Sequence, residues 1–151
     1  MSILVLGFGN LDRQDDGVAW HVLACLVKGY GFPNPETIDI DEYCEEKGIH
    51  FLYQLQLLPE IASELSNYDY AVFIDAHNGV VPNEVNLTVM DPVFQSSPLT
   101  HHLTVNSLLY IAQKLNGKYP KSILVSIRGY EFKFTQQLSL QTQELVPIAV
   151  N

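Results

Sequence analysis

Short continuous apolar runs occur at three places in the chain and predict strands. They cover residues 3–6, 70–74 and 123–127. An apolar run of this length that ends at turn or polar residues is typical of strands buried on both faces of a parallel sheet. Residues 37–40 are a weaker strand candidate. Residues 85–89 alternate apolar with polar positions, as a half-exposed strand at a sheet edge does.

Apolar residues at helical spacing lie between these strands and predict four helices. In the first three, the apolar positions repeat at intervals of three and four residues. Gly29 and Gly117 follow the first and the third helix directly, where glycine often ends a helix. The predicted helices cover about residues 17–28, 58–65, 101–116 and 139–147.

The order of these elements indicates the fold class. Strands and helices alternate along most of the chain, and one pair of strands has no helix between its members. That order is typical of an α/β layer sandwich. No repeat or linker interrupts it, and 151 residues fit one domain, so we predict a single domain over residues 1–151.

Composition limits the partners and the location of the protein. The 17 acidic and 8 basic residues give a formal charge of −9, which argues against nucleic acid and anionic membranes as partners, since both require Lys and Arg. No apolar run approaches the ~20 residues of a membrane span, and the N-terminus lacks a signal-peptide pattern. Cys25 and Cys44 are too few for a disulfide framework. We therefore expect a cytoplasmic protein.

Ligands of α/β sheets bind outside the carboxyl ends of the parallel strands. This rule directs attention to residues 7–16, the residues after Asp75 and residues 128–131. The first stretch carries two of the three glycines of a dinucleotide fingerprint, but Asp12 occupies the third position. A carboxylate there would adjoin the pyrophosphate, so an ordinary strand–helix turn is favoured over dinucleotide binding.

Three carboxylates in these stretches are candidates for chemistry. Asp15 and Asp16 precede the first predicted helix, where one acid can cap the helix and is favoured by the helix macrodipole. Two acids in succession leave a second carboxylate that faces the edge of the sheet. Asp75 follows a buried strand, where it can act in catalysis or cap the following turn. The residues alone leave both the structural and the functional role open.

Histidines offer nitrogen ligands beside these carboxylates. His101 and His102 open the third predicted helix. Adjacent helical side chains diverge by about 100°, so only one of the two faces the edge of the sheet. Two carboxylates and one imidazole from separate segments suit a divalent transition metal in an open site. The chain has no zinc-protease helix motif and no serine elbow.

These stretches together resemble the hydrogenase maturation proteases, the endopeptidases that trim the C-terminal tail of the nickel–iron hydrogenase large subunit. The resemblance extends in order over nearly the whole chain. It rests on Ile-Leu-Val-Leu-Gly-Phe-Gly-Asn at residues 3–10, Asp-Asp-Gly at 15–17, Phe-Ile-Asp-Ala at 73–76, Thr-His at 100–101 and Arg-Gly-Tyr-Glu-Phe at 128–132. It implies a three-layer α/β sandwich, in which a twisted, mostly parallel sheet of about five strands has helices on both faces.

The resemblance also implies roles for individual residues. Asp16, Asp75 and His101 would contact a metal, and Asp16 and Asp75 would be the catalytic residues of an aspartic-type endopeptidase. Asp16 is preferred to Asp15 because the family's ligand directly precedes the position of Gly17. The metal is the nickel of the substrate precursor, for which other divalent metals can substitute in vitro, and the enzyme has no cofactor of its own. The implied partner is the large-subunit precursor, with no nucleic acid and no membrane.

Some features depart from the family pattern or leave alternatives. Many members carry an Asp-Gly-Gly-Thr-like loop after the second strand, whereas residues 41–44 read Asp-Glu-Tyr-Cys here. That loop is linked with the choice of hydrogenase, so the particular hydrogenase stays unspecified. His77 is a further possible nitrogen ligand, and His102 can join or replace His101. The alternative function is a non-catalytic maturation chaperone that binds the metallated precursor.

Overall fold

A computed structural model describes residues 1–33, 39–44, 46–79, 83–93 and 103–150. Within them, six strands alternate with four α-helices. The strands are β1 (Ile3–Phe8), β2 (Asp41–Cys44), β3 (Ile49–Gln54), β4 (Tyr70–His77), β5 (Val85–Met90) and β6 (Lys121–Arg128). The helices are α1 (Val18–Gly29), α2 (Ala62–Leu65), α3 (Val105–Asn116) and α4 (Leu140–Val150). Short 3-10 turns at Gln14–Gly17 and Pro59–Ile61 lead into α1 and α2.

The strands form one mixed sheet in the order β2-β3-β1-β4-β6-β5. The four central strands are parallel, and the two edge strands are antiparallel to their neighbours. The sheet therefore confirms the predicted α/β class, with six strands instead of about five. All parallel strands end at the same edge, which is called the carboxyl edge below.

Helices cover both faces of the sheet and complete the three layers. One apolar cluster joins α1 and α4 to the sheet and includes Val22, Phe51 and Ile127. The other joins α2 and α3 to the opposite face and includes Phe73 and Leu108. Burying such side chains contributes roughly 1.5–3 kcal/mol each, and this packing holds the strand ends in fixed positions.

The second predicted strand is misplaced. Asp39 and Ile40 lie outside any strand, and Thr37 and Ile38 are outside the described residues. Strands β2 and β3 follow instead, and β3 was not predicted from the sequence. Its buried residues alternate with partly exposed ones, because one face packs against α1 and the other carries the half-covered residues His50, Leu52 and Gln54.

Two helix boundaries also differ from the prediction. Helix α3 begins at Val105, since the Thr104 hydroxyl oxygen caps it by accepting the Ser107 N–H at 3.1 Å. The predicted start near His101 is therefore wrong, and His101 and His102 themselves lie outside the described residues. Helix α4 continues past Pro147 to Val150 instead of ending near the proline. No helix in the described ranges has the length and apolar composition needed to cross a membrane.

Candidate functional site

The turn after β1 brings the backbone of Gly9 against Asp16. Gly9 has φ +143°, and a Cβ atom there would lie 2.1 Å from the Asp16 carbonyl oxygen. Only glycine allows this approach without displacement. The Tyr53 hydroxyl, at the end of β3, donates to the Gly9 carbonyl oxygen from the other side. The turn is thus fixed by two strands and by the 3-10 turn that carries Asp16.

Asp16 lies at the carboxyl edge and is partly exposed. Its Oδ2 atom accepts the backbone N–H of Asn10 at 2.9 Å. This bond orients the carboxylate from the turn after β1. The other carboxylate oxygen has no hydrogen bond within the described residues and is available to a ligand.

Asp75 lies inside β4, two residues before the strand ends at His77. The sequence analysis placed Asp75 after the strand, and that placement is wrong. Its Oδ1 atom accepts the backbone N–H of Ala76 at 2.8 Å. Burial raises the pKa of Asp75 to about 7, because the Ala76 hydrogen bond only partly opposes the desolvation and the charge of Asp16 adds to it.

The electrostatics of Tyr53 show that Asp16 and Asp75 lie in the same region. Burial raises the pKa of its phenol, and the negative charges of Asp16, Asp75 and Asp12 raise it further. Tyr53 therefore stays protonated at neutral pH and acts as a hydrogen-bond donor. The sequence analysis missed it because β3 was not predicted, although the apolar alternation of residues 49–53 was a usable signal.

Asp15 points away from Asp16 into the interior. It is fully buried, and its Oδ2 atom accepts the backbone N–H groups of Tyr130 and Glu131 at 2.8 and 2.9 Å. The Ser139 N–H and hydroxyl and the Thr142 hydroxyl also donate to its carboxylate, at 2.9, 2.6 and 2.8 Å. Neither aspartate caps the helix, since no side chain makes a capping bond at the 3-10 turn or at α1. Asp15 is a structural hub instead.

The pKa of Asp15 reflects these contacts. Burial alone would raise the pKa, but the hydrogen bonds from Ser139, Glu131 and Tyr130 outweigh it and hold the pKa below its usual value. Asp15 is therefore ionised at neutral pH. It is the charged anchor that ties the 3-10 turn to the end of β6 and to the start of α4.

His77 is fully engaged by the backbone. Its Nδ1 atom accepts the N–H of Gly79 at 3.0 Å, and its Nε2 atom lies 3.0 Å from the carbonyl oxygen of Asn83. One tautomer satisfies both bonds, with the proton on Nε2. The position of His77 does not favour it as a metal ligand. In the described part of the chain, no group of three His, Cys, Asp or Glu side chains is arranged to hold a metal.

Two further histidines have structural contacts. His21, in α1, lies 3.2 Å from the Gln136 carbonyl oxygen and is partly buried. His50, in β3, bonds to Asp41 and to the hydroxyl of Tyr68. His50 lies near the amino end of β3, away from the carboxyl edge. A groove of about 510 Å³ between α1 and α4 is also separate from Asp16 and Asp75.

The raised pKa of Asp75 predicts that Asp75→Asn stabilises the fold at alkaline pH. In the wild type, the unfolded chain ionises near pH 4 but the folded carboxyl near pH 7, so stability falls as the pH rises through that interval. Asn has no such loss, so the variant should gain at most about 4 kcal/mol at pH 8 and almost nothing at pH 4. Urea unfolding at both pH values measures the difference. Asp12→Asn, at an exposed position, is the control; a less stable Asp75→Asn at pH 8 would contradict the assignment.

The fold is that of the hydrogenase maturation proteases. The chain is similar to the hydrogenase maturating endopeptidase HybD from Escherichia coli over 99% of its own length and 88% of that chain, with a TM-score of 0.72 and 19% identity. It is similar to the [NiFe] hydrogenase maturation protease HycI from Thermococcus kodakarensis KOD1 over 98% of its own length and 87% of that chain, with a TM-score of 0.63 and 18% identity. It is also similar to a hydrogenase 2 maturation peptidase from Thaumarchaeota archaeon SCGC_AB-539-E09, over 99% of its own length and 94% of that chain, with a TM-score of 0.63 and 17% identity.

These likenesses confirm the fold that the sequence motifs implied, over the whole length of the chain. No protein-family model and no curated protein matches the sequence. At identities of 17–19%, similarity of structure establishes the fold, and function has to be argued from the site.

Proposed function

We propose that the protein is an endopeptidase that removes the C-terminal extension of a nickel–iron hydrogenase large-subunit precursor after nickel insertion. The observation that supports it most strongly is the pairing of Asp16 and Asp75 at the carboxyl edge, in a fold shared with hydrogenase maturation proteases. Ligands of α/β sheets bind at this edge. The substrate is thus a protein that presents its own metal to two fixed carboxylates.

Recognition of the nickel would use Asp16, Asp75 and a third donor. Two carboxylates from different segments offer oxygen ligands and leave most of the coordination sphere open. The family resemblance assigns the third position to His101, which lies outside the described residues. Because the metal arrives with the substrate, an incomplete ligand set is suited to recognition, whereas a resident cofactor requires a closed one.

The two carboxylates would also act on the scissile bond. Burial raises the pKa of Asp75 to about 7, so much of this carboxyl is protonated at neutral pH before the substrate docks. Contact with a cation lowers the pKa of a carboxyl, so docking of the nickel would ionise Asp75. Ligation of the nickel at a fixed point would place the adjacent peptide bond, and such positioning can supply several kcal/mol of rate enhancement.

Cleavage of nickel-loaded and nickel-free precursor tests the proposal. The loaded precursor should lose its tail, and the nickel-free form should remain intact, because only the first offers a ligand to Asp16 and Asp75. Mass spectrometry of the large subunit after incubation with the purified protein measures both. Equal trimming of the two forms, or of neither, would contradict recognition of the substrate nickel. A stable complex with uncut loaded precursor would instead favour the maturation chaperone.

A further inference from the structure

Arg128 is the last residue of β6 and lies at the carboxyl edge, where its side chain is partly buried. Its Nε atom is buried and has no hydrogen-bond partner in the part of the chain that the structure describes. Its guanidinium forms no ion pair within the described residues. A guanidinium carries five N–H donors, and a buried donor without an acceptor destabilises the fold. In a chain with 17 acidic residues, such a cation without a carboxylate partner requires an explanation.

Neighbouring groups hold the guanidinium in place without pairing its N–H groups. Its Cζ atom lies 4.7 Å from the centre of the Tyr130 ring. A Cβ atom on Gly79 would lie 3.1, 3.2 and 3.3 Å from Cζ and the two terminal nitrogens, so the Gly79 backbone approaches a face of the guanidinium. Gly79 has φ +103°, which favours glycine. These contacts cover the faces of the guanidinium and leave its N–H groups unpaired among the described residues.

Glu84 is a carboxylate beside this cluster, and it bonds to Tyr130 instead of Arg128. The carboxylate of Glu84 accepts the hydroxyl of Tyr130, the same residue whose ring lies against the guanidinium. No ion pair joins Glu84 to Arg128. Arg128 is therefore preorganised by an aromatic ring and a glycine, and its Nε atom is left without an acceptor among the described residues.

The position of Arg128 relates it to the proposed catalytic carboxylates. Ser126 is the register partner of Asp75, and Arg128 lies two residues further toward the carboxyl edge, about 7 Å along the strand. Alternation of side chains puts both Asp75 and Arg128 on the face that Phe73 and Leu124 share. An extended peptide advances about 3.3 Å per residue, so a group bound at Arg128 lies within a few residues of one bound at Asp75.

We propose that Arg128 binds a carboxylate of the precursor, within a few residues of the segment held at Asp16 and Asp75. This inference rests on the proposed function, because the anions of an unmodified polypeptide substrate are carboxylates. The planar guanidinium matches a carboxylate with two parallel hydrogen bonds, which Lys cannot reproduce. Arg128 would thereby set the register of the peptide, while the net charge of −9 repels carboxylates elsewhere on the surface.

Binding and cleavage by Arg128→Gln and Arg128→Lys test the assignment. With nickel-loaded precursor, Arg128→Gln should raise KM about tenfold or more with little change in kcat, and Arg128→Lys should lie between it and the wild type. With nickel-free precursor, isothermal titration should show a similar weakening of Kd, because the carboxylate contact does not need the metal. Lys121→Gln removes an exposed cation at the opposite end of β6, so it is the matched control and should bind like the wild type.

Changes in the substrate identify the source of the carboxylate. Replacing tail Asp and Glu by Asn and Gln tests acidic side chains, and adding residues beyond the C-terminus displaces the terminal carboxylate. The substrate change that removes the true ligand should weaken binding to the wild type but not to Arg128→Gln. A substrate change that weakens both proteins equally would exclude that carboxylate.

The outcomes separate the two proposals. If the wild type cleaves, Asp16→Asn does not, and Arg128→Gln keeps the wild-type KM and Kd, the carboxylate assignment is wrong and the proposed function stands. If Arg128→Gln loses stability and binds the precursor no more weakly than that loss explains, Arg128 serves the fold and the carboxylate assignment is wrong. If the wild type neither binds nor cleaves the precursor, both proposals are wrong.

Discussion

Asp16→Asn is expected to reduce cleavage of the nickel-loaded precursor by more than about a hundredfold, with the fold intact. The amide oxygen of Asn can still accept the Asn10 N–H, which holds the Asp16 carboxylate at 2.9 Å in the wild type. What the variant lacks is the second anionic oxygen that would contact the nickel. Initial rates by mass spectrometry, together with the unfolding midpoint, separate a loss of activity from a loss of structure.

Asp12→Asn is the matched control for that variant. Asp12 lies in the same loop, is exposed and accepts a hydrogen bond from the Gln136 side chain at 2.8 Å. The Asp12→Asn variant loses the same charge as Asp16→Asn and should cleave the nickel-loaded precursor at nearly the wild-type rate. Full activity in Asp16→Asn, with Asp12→Asn also active, would remove Asp16 from the proposed site.

Asp15→Asn is expected to destabilise the fold by roughly 3–5 kcal/mol at pH 7, although it adjoins Asp16. The carboxylate accepts bonds from two hydroxyls and three backbone N–H groups in the native protein. Asn offers one oxygen and turns an NH₂ group toward donors, so several buried donors lose their acceptor. Urea unfolding followed by circular dichroism measures the loss.

The pH dependence distinguishes this role from simple packing. The folded pKa of Asp15 lies below the unfolded value of about 3.9, so its contribution is complete above pH 4 and is lost as the pH falls through the folded pKa. The gap between wild type and Asp15→Asn should therefore narrow below pH 4. Ser139→Ala removes one donor and should cost about 1 kcal/mol at pH 7. A constant gap from pH 7 to pH 3 would contradict the charged hub.

The central strands could be predicted from the sequence because their environment is uniform. Strands β1, β4 and β6 are flanked by strands on both sides and covered on both faces, so their residues form continuous apolar runs. Only one face of β3 is fully covered, and the polar residues His50 and Gln54 interrupt its apolar residues. The alternation of apolar and polar residues in β3 therefore indicated a strand less clearly than the apolar runs of β1, β4 and β6.

Composition and periodicity could not predict that Asp15 is buried and Asp16 is partly exposed. Both are acids at the start of the same helix, and only tertiary contacts made by Tyr130, Ser139 and Thr142 bury one of them. The family resemblance selected Asp16 as the ligand, and that role stays a prediction. The boundary of α3 was wrong for a local reason, since Thr104 caps it three residues past His101.

The contacts of Asp15 also order the assembly of the molecule in time. Its partners lie 115 to 127 residues further along the chain, and loops of that length close slowly during folding. During synthesis, the turn that carries Asp16 can reach its final position only after residues through Thr142 have left the ribosome. Under the proposed function, the nascent chain is therefore expected to lack activity until α4 docks.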